Sequence, residues 1–239
     1  MFGLGTIINC SAIIIAGIAG MVFGNLLKES MQDTLMKADG VAVIFIGIAG
    51  ALSKMLVIKG GTIDTTGTMM MIISLSLGAI VGEMLDLDGK MIHFGEWLKI
   101  KTGNAKDKKF VDGFVTASLT VCIGAMAVVG SIEDGIHADH SILFAKAILD
   151  FVIILVMSAT LGKGCLFSFV PVGLFQGTIT LLASLISPFI TASAMSALSY
   201  IGSILIFCVG VNLVFNTKIR VANLLPALIV ACICTVFPL

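Results

Sequence analysis

Eight stretches of this 239-residue chain are apolar for long enough to cross a bilayer: about 3–24, 40–57, 67–85, 112–131, 142–162, 166–187, 196–215 and 221–238. A hydrocarbon core of roughly 30 Å takes roughly 20 residues of helix. Hydrophobic residues make up 58% of the chain and charged residues 12%, against about 25% charged in a typical globular domain. A soluble protein of this size has too little interior to hide so much apolar surface, so the bilayer must take it. The runs are long and unbroken, unlike the short alternating strands of a membrane barrel. The sequence therefore predicts an all-α polytopic membrane protein, with residues 1–239 as one integral membrane domain of about eight transmembrane helices. The opening Met1-Phe2-Gly3-Leu4 has no basic region of the kind that starts a secretory signal, so the first helix is expected to stay. The formal net charge is zero, which gives no reason to expect a nucleic-acid partner.

A short echo suggests how the helices are organised. Gly5-Thr6-Ile7 in the first apolar run returns as Gly177-Thr178-Ile179 in the sixth. Gly40, Ile44 and Phe45 in the second return as Gly202, Ile206 and Phe207 in the seventh. An odd number of crossings separates each helix from its echo, so the second copy is upside down. The expected organisation is an inverted repeat: residues 3–85, a central helix pair with its loop at 86–162, and residues 166–238. Inverted repeats that meet near the midplane are a common way to build a transporter.

Basic residues accumulate on the cytoplasmic side of membrane proteins. The only long loop, about 86–111, carries Lys90, Lys99, Lys101, Lys106, Lys108 and Lys109, which places it in the cytoplasm. Lys28, Lys37, Lys163, Lys218 and Arg220 then fall on the same side, and only Lys54 and Lys59 on the other. Both termini are expected outside. Within the loop, Met91, Phe94, Trp97 and Leu98 share one side of a predicted helix over 87–101. That helix either lies in the headgroup interface or packs on its own bundle. The outer segment Glu133-Asp134-Gly135-Ile136-His137-Ala138-Asp139-His140 has the residue types of a cation site, although a solvated acidic turn explains it as well.

Ionisable groups inside a membrane helix are expensive and need a reason to be there. Asp150 falls near the middle of the fifth run, and Lys146 lies one turn earlier on the same face, where the two can pair. Such a pair either lines a polar pathway or fixes helix packing. Glu83 and Asp112 fall at helix ends, where reaching for the interface relieves the cost. Asn9, Ser11, Gln176, Thr178, Thr180, Asn212 and Asn223 add uncharged polar groups. Pro171, Gly173 and Gly177 are expected to interrupt the sixth helix, and Pro188 to end it; interrupted helices mark substrate sites in transporters. The candidate solute or ion pathway is thus Asn9, Lys146, Asp150, Gln176, Thr178 and Asn212. Six cysteines lie in or beside apolar runs without metal-ligand spacing, so neither a metal nor a cofactor is expected. Small-residue stripes at Gly17, Gly20 and Gly24, at Gly78 and Gly82, and at Gly124, Ala127 and Gly130 allow close helix approach within the chain or across a dimer. A homo-oligomer, most simply a dimer, is expected alongside the lipid bilayer as partner.

Several strings are distinctive: Asp112-Gly-Phe-Val-Thr-Ala-Ser-Leu, Val121-Cys-Ile-Gly-Ala-Met-Ala-Val-Val-Gly130, Asp139-His-Ser, Leu143-Phe-Ala-Lys-Ala-Ile-Leu-Asp150, Phe175-Gln-Gly-Thr-Ile-Thr and Ile219-Arg-Val-Ala-Asn-Leu-Leu-Pro-Ala-Leu228. Together they resemble the YdfK/YqgA-like family of bacterial membrane proteins, over essentially the whole chain. The resemblance implies a multi-pass protein of the bacterial plasma membrane and carries over no catalytic or binding residue. This chain has Asp150-Phe151 where family members often have Asp-Gly, which speaks against a role needing backbone freedom there.

The function expected from these readings is a transporter or channel for a small solute or ion. A membrane assembly factor or sensor acting through its loops is the alternative. An enzyme is not expected, since His93, His137 and His140 lie outside the apolar runs and no HExxH or GxSxG string occurs.

Overall fold

The computed structural model describes residues 3–189 and 191–236; Met1, Phe2 and the last residues of the eighth apolar run lie outside the described residues. In chain order, α1 is Leu4–Gly24, α2 Glu29–Met55, β1 Leu56–Lys59, β2 Thr62–Thr65, α3 Thr68–Leu85, α4 Leu87–Lys101, α5 Phe110–Cys122, α6 Ala125–Ile136 and α7 Ser141–Leu161. A 3-10 helix at Lys163–Ser168 leads into α8 (Phe169–Leu181), followed by α9 (Ala183–Ile186) and a second 3-10 turn, Ser187–Phe189. The chain continues as α10 (Ala192–Phe215), α11 (Val221–Leu224) and α12 (Pro226–Val236).

Among the described residues six helices are long and apolar enough to cross a membrane, or seven if the bent pair α5–α6 crosses as one span; eight apolar runs are read from the sequence. Within the described residues the eighth run is helical from Val221 to Thr235, a rise of about 22 Å. The second run extends far beyond its apolar part. Helix α2 begins at Glu29, and its polar overhang is held by an exposed Asp33–Lys37 pair at 2.7 Å.

Close backbone approaches fix the helix directions. A Cβ on Gly5 would meet Leu143, one on Gly20 the Leu155 carbonyl and one on Gly24 the Ala159 carbonyl, so α1 and α7 run parallel. Cβ atoms on Gly40, Gly47 and Gly50 would meet Leu213, Phe207 and Ser203, so α2 and α10 run antiparallel. Those on Gly78 and Gly82 would meet Ala227 and Asn223, which makes α3 antiparallel to the 221–235 helix. Gly164 lies against Phe110 and Phe114, and Gly135 against Thr180, so α5–α6 runs parallel to the segment 163–181. The stripes at Gly17, Gly20 and Gly24 and at Gly78 and Gly82 are therefore used inside the chain.

This packing gathers Gly24, Asn25, Gln32, Lys109, Leu161 and Lys163 at one face, together with Asn212, Lys218 and Arg220. That is the lysine-rich face. Gly5, Leu143 and the start of α3 lie toward the opposite, lysine-poor face. There the β1–β2 hairpin turns through Gly60 and Gly61, whose φ angles of 58° and 83° are those a two-residue hairpin turn requires.

Helix α4 packs on its own bundle. Leu98 is buried, Phe94 stacks on Trp97 at 5.8 Å and meets Phe114 edge-on, and α4 thereby docks onto α5. Trp97 and Ile100 nevertheless remain more than half exposed.

Candidate functional site

Four of the six expected pathway residues meet in one buried cluster. Asp150 is the tenth of the 21 residues of α7, with Lys146 one turn before it. The Lys146 Nζ donates to Asp150 Oδ1 at 2.8 Å and to Oδ2 at 2.7 Å. Its third hydrogen bond goes to the Val121 carbonyl at 2.7 Å. From α1, Asn9 donates through Nδ2 to Asp150 Oδ2 at 3.0 Å and to Gln176 Oε1 of α8 at 3.4 Å. All four side chains are buried, Asn9 and Gln176 almost completely. Asn9, Lys146, Asp150 and Gln176 thus form one hydrogen-bonded cluster across α1, α7 and α8.

The partner that the sequence did not reveal is Val121, at the end of α5. The fourth apolar run is not one helix. It breaks at Ile123-Gly124, and the two halves are bent by 63°. Gly124 has φ 156° and ψ 150°, a conformation essentially confined to glycine. The break leaves carbonyls at the end of α5 without helical partners, at the negative end of that half-helix. Lys146 supplies one donor there. Its ammonium is saturated by three acceptors, and the charge of Asp150 is matched by it.

The expected interruption lay elsewhere. Helix α8 runs uninterrupted through Gly173 and Gly177. Pro171 falls in its first turn, where proline is tolerated because no amide donor is needed. The chain bends only afterwards, at Leu182.

Thr178 and Asn212 do not join the cluster. Thr178 is exposed on the outer side of α8, whereas Thr180 on the inner side is buried. Asn212 belongs to the lysine-rich face. It donates to the Ile219 carbonyl at 2.8 Å and accepts from Ile219 N and Thr217 Oγ1, closing the turn after α10. With Asp88, Lys109, Asp112, Lys218 and Arg220 it lines a surface cavity of about 720 Å³. Nearby, Glu83 joins Arg220 and Asn223, each at 2.6 Å. Asn223 also accepts from the Asp88 amide at 2.8 Å. Burial holds the Asp88 carboxyl above the usual range.

Several buried polar atoms have no protein partner: Asn9 Oδ1, Gln176 Nε2, Thr6 Oγ1, Thr180 Oγ1, Ser131 Oγ and Asp134 Oδ2 among them. An unpaired buried polar atom costs about 1–3 kcal/mol. Asn9 Oδ1 and Gln176 Nε2 belong to the cluster itself, and the other four atoms lie on α1, α6 and α8.

The acidic segment after Gly130 is helical to Ile136 and resolves into two pairs. His137 meets Glu133 at 2.7 Å, and His140 meets Asp134, which is fully buried. Among the described residues no group of three or more His, Cys, Asp or Glu side chains is placed to hold a metal ion. Asp139 instead accepts from the Ser141 amide at the start of α7, at 2.9 Å, and that bond holds its carboxyl below the usual range.

Comparison with known proteins agrees with the resemblance seen in the strings. The chain belongs to the family described as protein of unknown function DUF554, whose model matches residues 4–236. It is 29% identical to the uncharacterized membrane protein YdfK of Bacillus subtilis (strain 168), over 95% of this chain and 93% of that one. To the uncharacterized protein YqgA of Escherichia coli (strain K12) it is 27% identical, over 95% and 94% of the two chains. No solved structure matches.

Proposed function

We propose that this integral membrane protein moves a small solute or ion across the bacterial plasma membrane, with Lys146, Asp150, Asn9 and Gln176 forming the central site. The observation that carries the reading is the position of that cluster. An ion pair buried mid-helix sits on the broken end of α5, as discontinuous helices bring backbone dipoles to bound solutes in transporters. A pair serving only to fix packing has no need of a helix break beside it, or of unpaired amide atoms on Asn9 and Gln176.

The same reading takes residues 3–85 and 166–238 as an inverted repeat. Its support is the set of helix directions. Asn9 meets Gln176 while Gly17 approaches Leu166, so α1 and the segment 163–181 run antiparallel. Helices α2 and α10 do so as well. The parallel contact of α1 with α7 has its counterpart in the parallel contact of 163–181 with α5–α6, as a two-fold axis in the membrane plane requires. The lysine-rich face is taken as cytoplasmic, on the charge rule.

The test is flux in proteoliposomes across a panel of ions and small metabolites, comparing the parent with Asp150→Asn. Flux above protein-free vesicles that the substitution reduces at least tenfold is expected. No flux for any member of the panel, or flux indifferent to Asp150, removes the reading.

A further inference from the structure

We infer that a file of hydrogen-bonded water joins the Asp134–His140 pair at the lysine-poor face to Asp150 at the centre, and that the ion it delivers is the proton. The inference rests on the transport reading for its use, but the file is a physical object that can be sought without it.

The unpaired atoms follow one another at intervals of a helical turn. Thr6 lies one turn before Asn9 on α1, and Thr180 one turn after Gln176 on α8. Because those helices run antiparallel and Asn9 bonds Gln176 at 3.4 Å, both threonines lie on the lysine-poor side of the cluster. A Cβ on Gly135 would fall 2.5 Å from the Thr180 carbonyl, so α6 touches α8 at that level, beside Asp134. Ser131 lies one turn earlier on α6. Leu143 is approached by Gly5 of α1 and by Gly130 of α6, which draws the remaining helices of the file together at the same depth. Thr6, Ser131, Asp134, Gln176 and Thr180 are each at least nine-tenths buried, and each has a side-chain atom without a protein partner.

The steps suit water. One helical turn rises about 5.4 Å, and a water making two hydrogen bonds of about 2.8 Å spans that distance. Buried waters are held by two to four polar partners, and a hydroxyl can donate and accept in the same chain. The two ends of the file are its titratable groups. Around Asp134, α6 itself carries Glu133, and His137 and Asp139 follow it; α7 brings Lys146 and Asp150, with His140 at its start. Helices α1, α8, α9 and α10, which also pack against α6, contain no charged residue. Among the described residues no group of three or more His, Cys, Asp or Glu side chains is placed along it to hold a metal ion.

A proton arriving at the Asp134–His140 pair is passed along the hydroxyls and waters to a carboxylate oxygen of Asp150. The O–H bond formed there neutralises Asp150. It weakens the Lys146–Asp150 attraction and leaves the Lys146 ammonium bonded to the Val121 carbonyl with one uncompensated positive charge. Release of the same proton restores the pair.

The file is tested with the full-length protein in sealed vesicles of known orientation, using cysteine substitutions in a cysteine-free background and a membrane-impermeant methanethiosulfonate. Thr180→Cys and Ser131→Cys are expected to react at least tenfold faster from the lysine-poor side than Thr178→Cys, which faces outward from the same helix. Equal rates overturn the file. Should the cysteine-free chain fail to insert, hydroxyl-radical footprinting of the unaltered protein decides. Oxidation of Leu143 above that of the equally buried Ile154 is expected, and two silent residues overturn the file. For the proton, an acid pulse applied to proteoliposomes with an enclosed pH dye should acidify the lumen at least fivefold more slowly with Asp134→Asn, and an unchanged rate overturns that assignment. Reactive Thr180→Cys without flux of any solute would leave the file standing and remove the transport reading. Flux through a dry, unreactive chain would do the reverse.

Discussion

Lys146, on the face of α7 turned into the bundle, caps the end of a different helix: its ammonium lies 2.7 Å from the carbonyl of Val121. The buried pair and the helix break are therefore one construction. Removing either charge alone leaves the other buried and uncompensated, at a cost of about 3–5 kcal/mol. Lys146→Met and Asp150→Leu should each lower the midpoint of thermal unfolding in detergent, while the double variant recovers most of the loss. A double variant as unstable as the sum of the singles would show that the two groups do not act as a pair.

Gly124 holds a backbone conformation that side chains resist, at about 1–3 kcal/mol for a residue forced to share it. Gly124→Ala is expected to destabilise the protein by that amount, although nothing lies within 4 Å of the added methyl. The control is Gly177→Ala, which also meets open space but lies in a regular helix. It should be neutral or slightly stabilising in the same melt.

The close approach of α3 to the 221–235 helix leaves no room for side chains. A Cβ on Gly82 would fall 1.9 Å from the Asn223 carbonyl. Gly82→Val should separate α3 from that helix and disturb the bonds that Glu83 makes to Arg220 and Asn223. Loss of folded protein on size-exclusion chromatography is expected, whereas Gly177→Ala, in a regular helix where a Cβ meets nothing within 4 Å, should elute as the parent does.

Orientation has its own check. Cysteines placed at Lys101 and Lys54 should be labelled from opposite sides of the membrane, Lys101 only after the cytoplasmic side is opened. Labelling of both from one side would refute the arrangement inferred from the charges.

Much of this was legible in the residues because membrane burial writes a strong signal. Long apolar runs announced the helices, and Lys146 and Asp150 stood out because few forces would place charge there. Their i,i+4 spacing foretold the pair. What stayed hidden depended on backbone conformation rather than composition. Gly124 sits among small apolar residues in a run with no proline, so its break left no mark, whereas Pro171 advertised an interruption that its first-turn position does not cause. The sidedness of Thr178 against Thr180 was also concealed. Two polar residues that close in sequence look alike until the helix is rotated against its neighbours. The hairpin did leave a signal: Gly60-Gly61 lies between two short β-prone stretches, too short and too polar to stand out beside the long apolar runs.

The cluster also bears on how the protein is made. Asn9 is synthesised before the groups it bonds, which lie 141 and 167 positions downstream. Until they are made its amide waits without its final partners, and Lys146 and Asp150 must emerge before Gln176 can complete the set. The centre is therefore a late event in biogenesis. A chain cut short before α8 would display an unmatched polar patch within the bilayer, a plain mark for the quality control that removes unfinished membrane proteins.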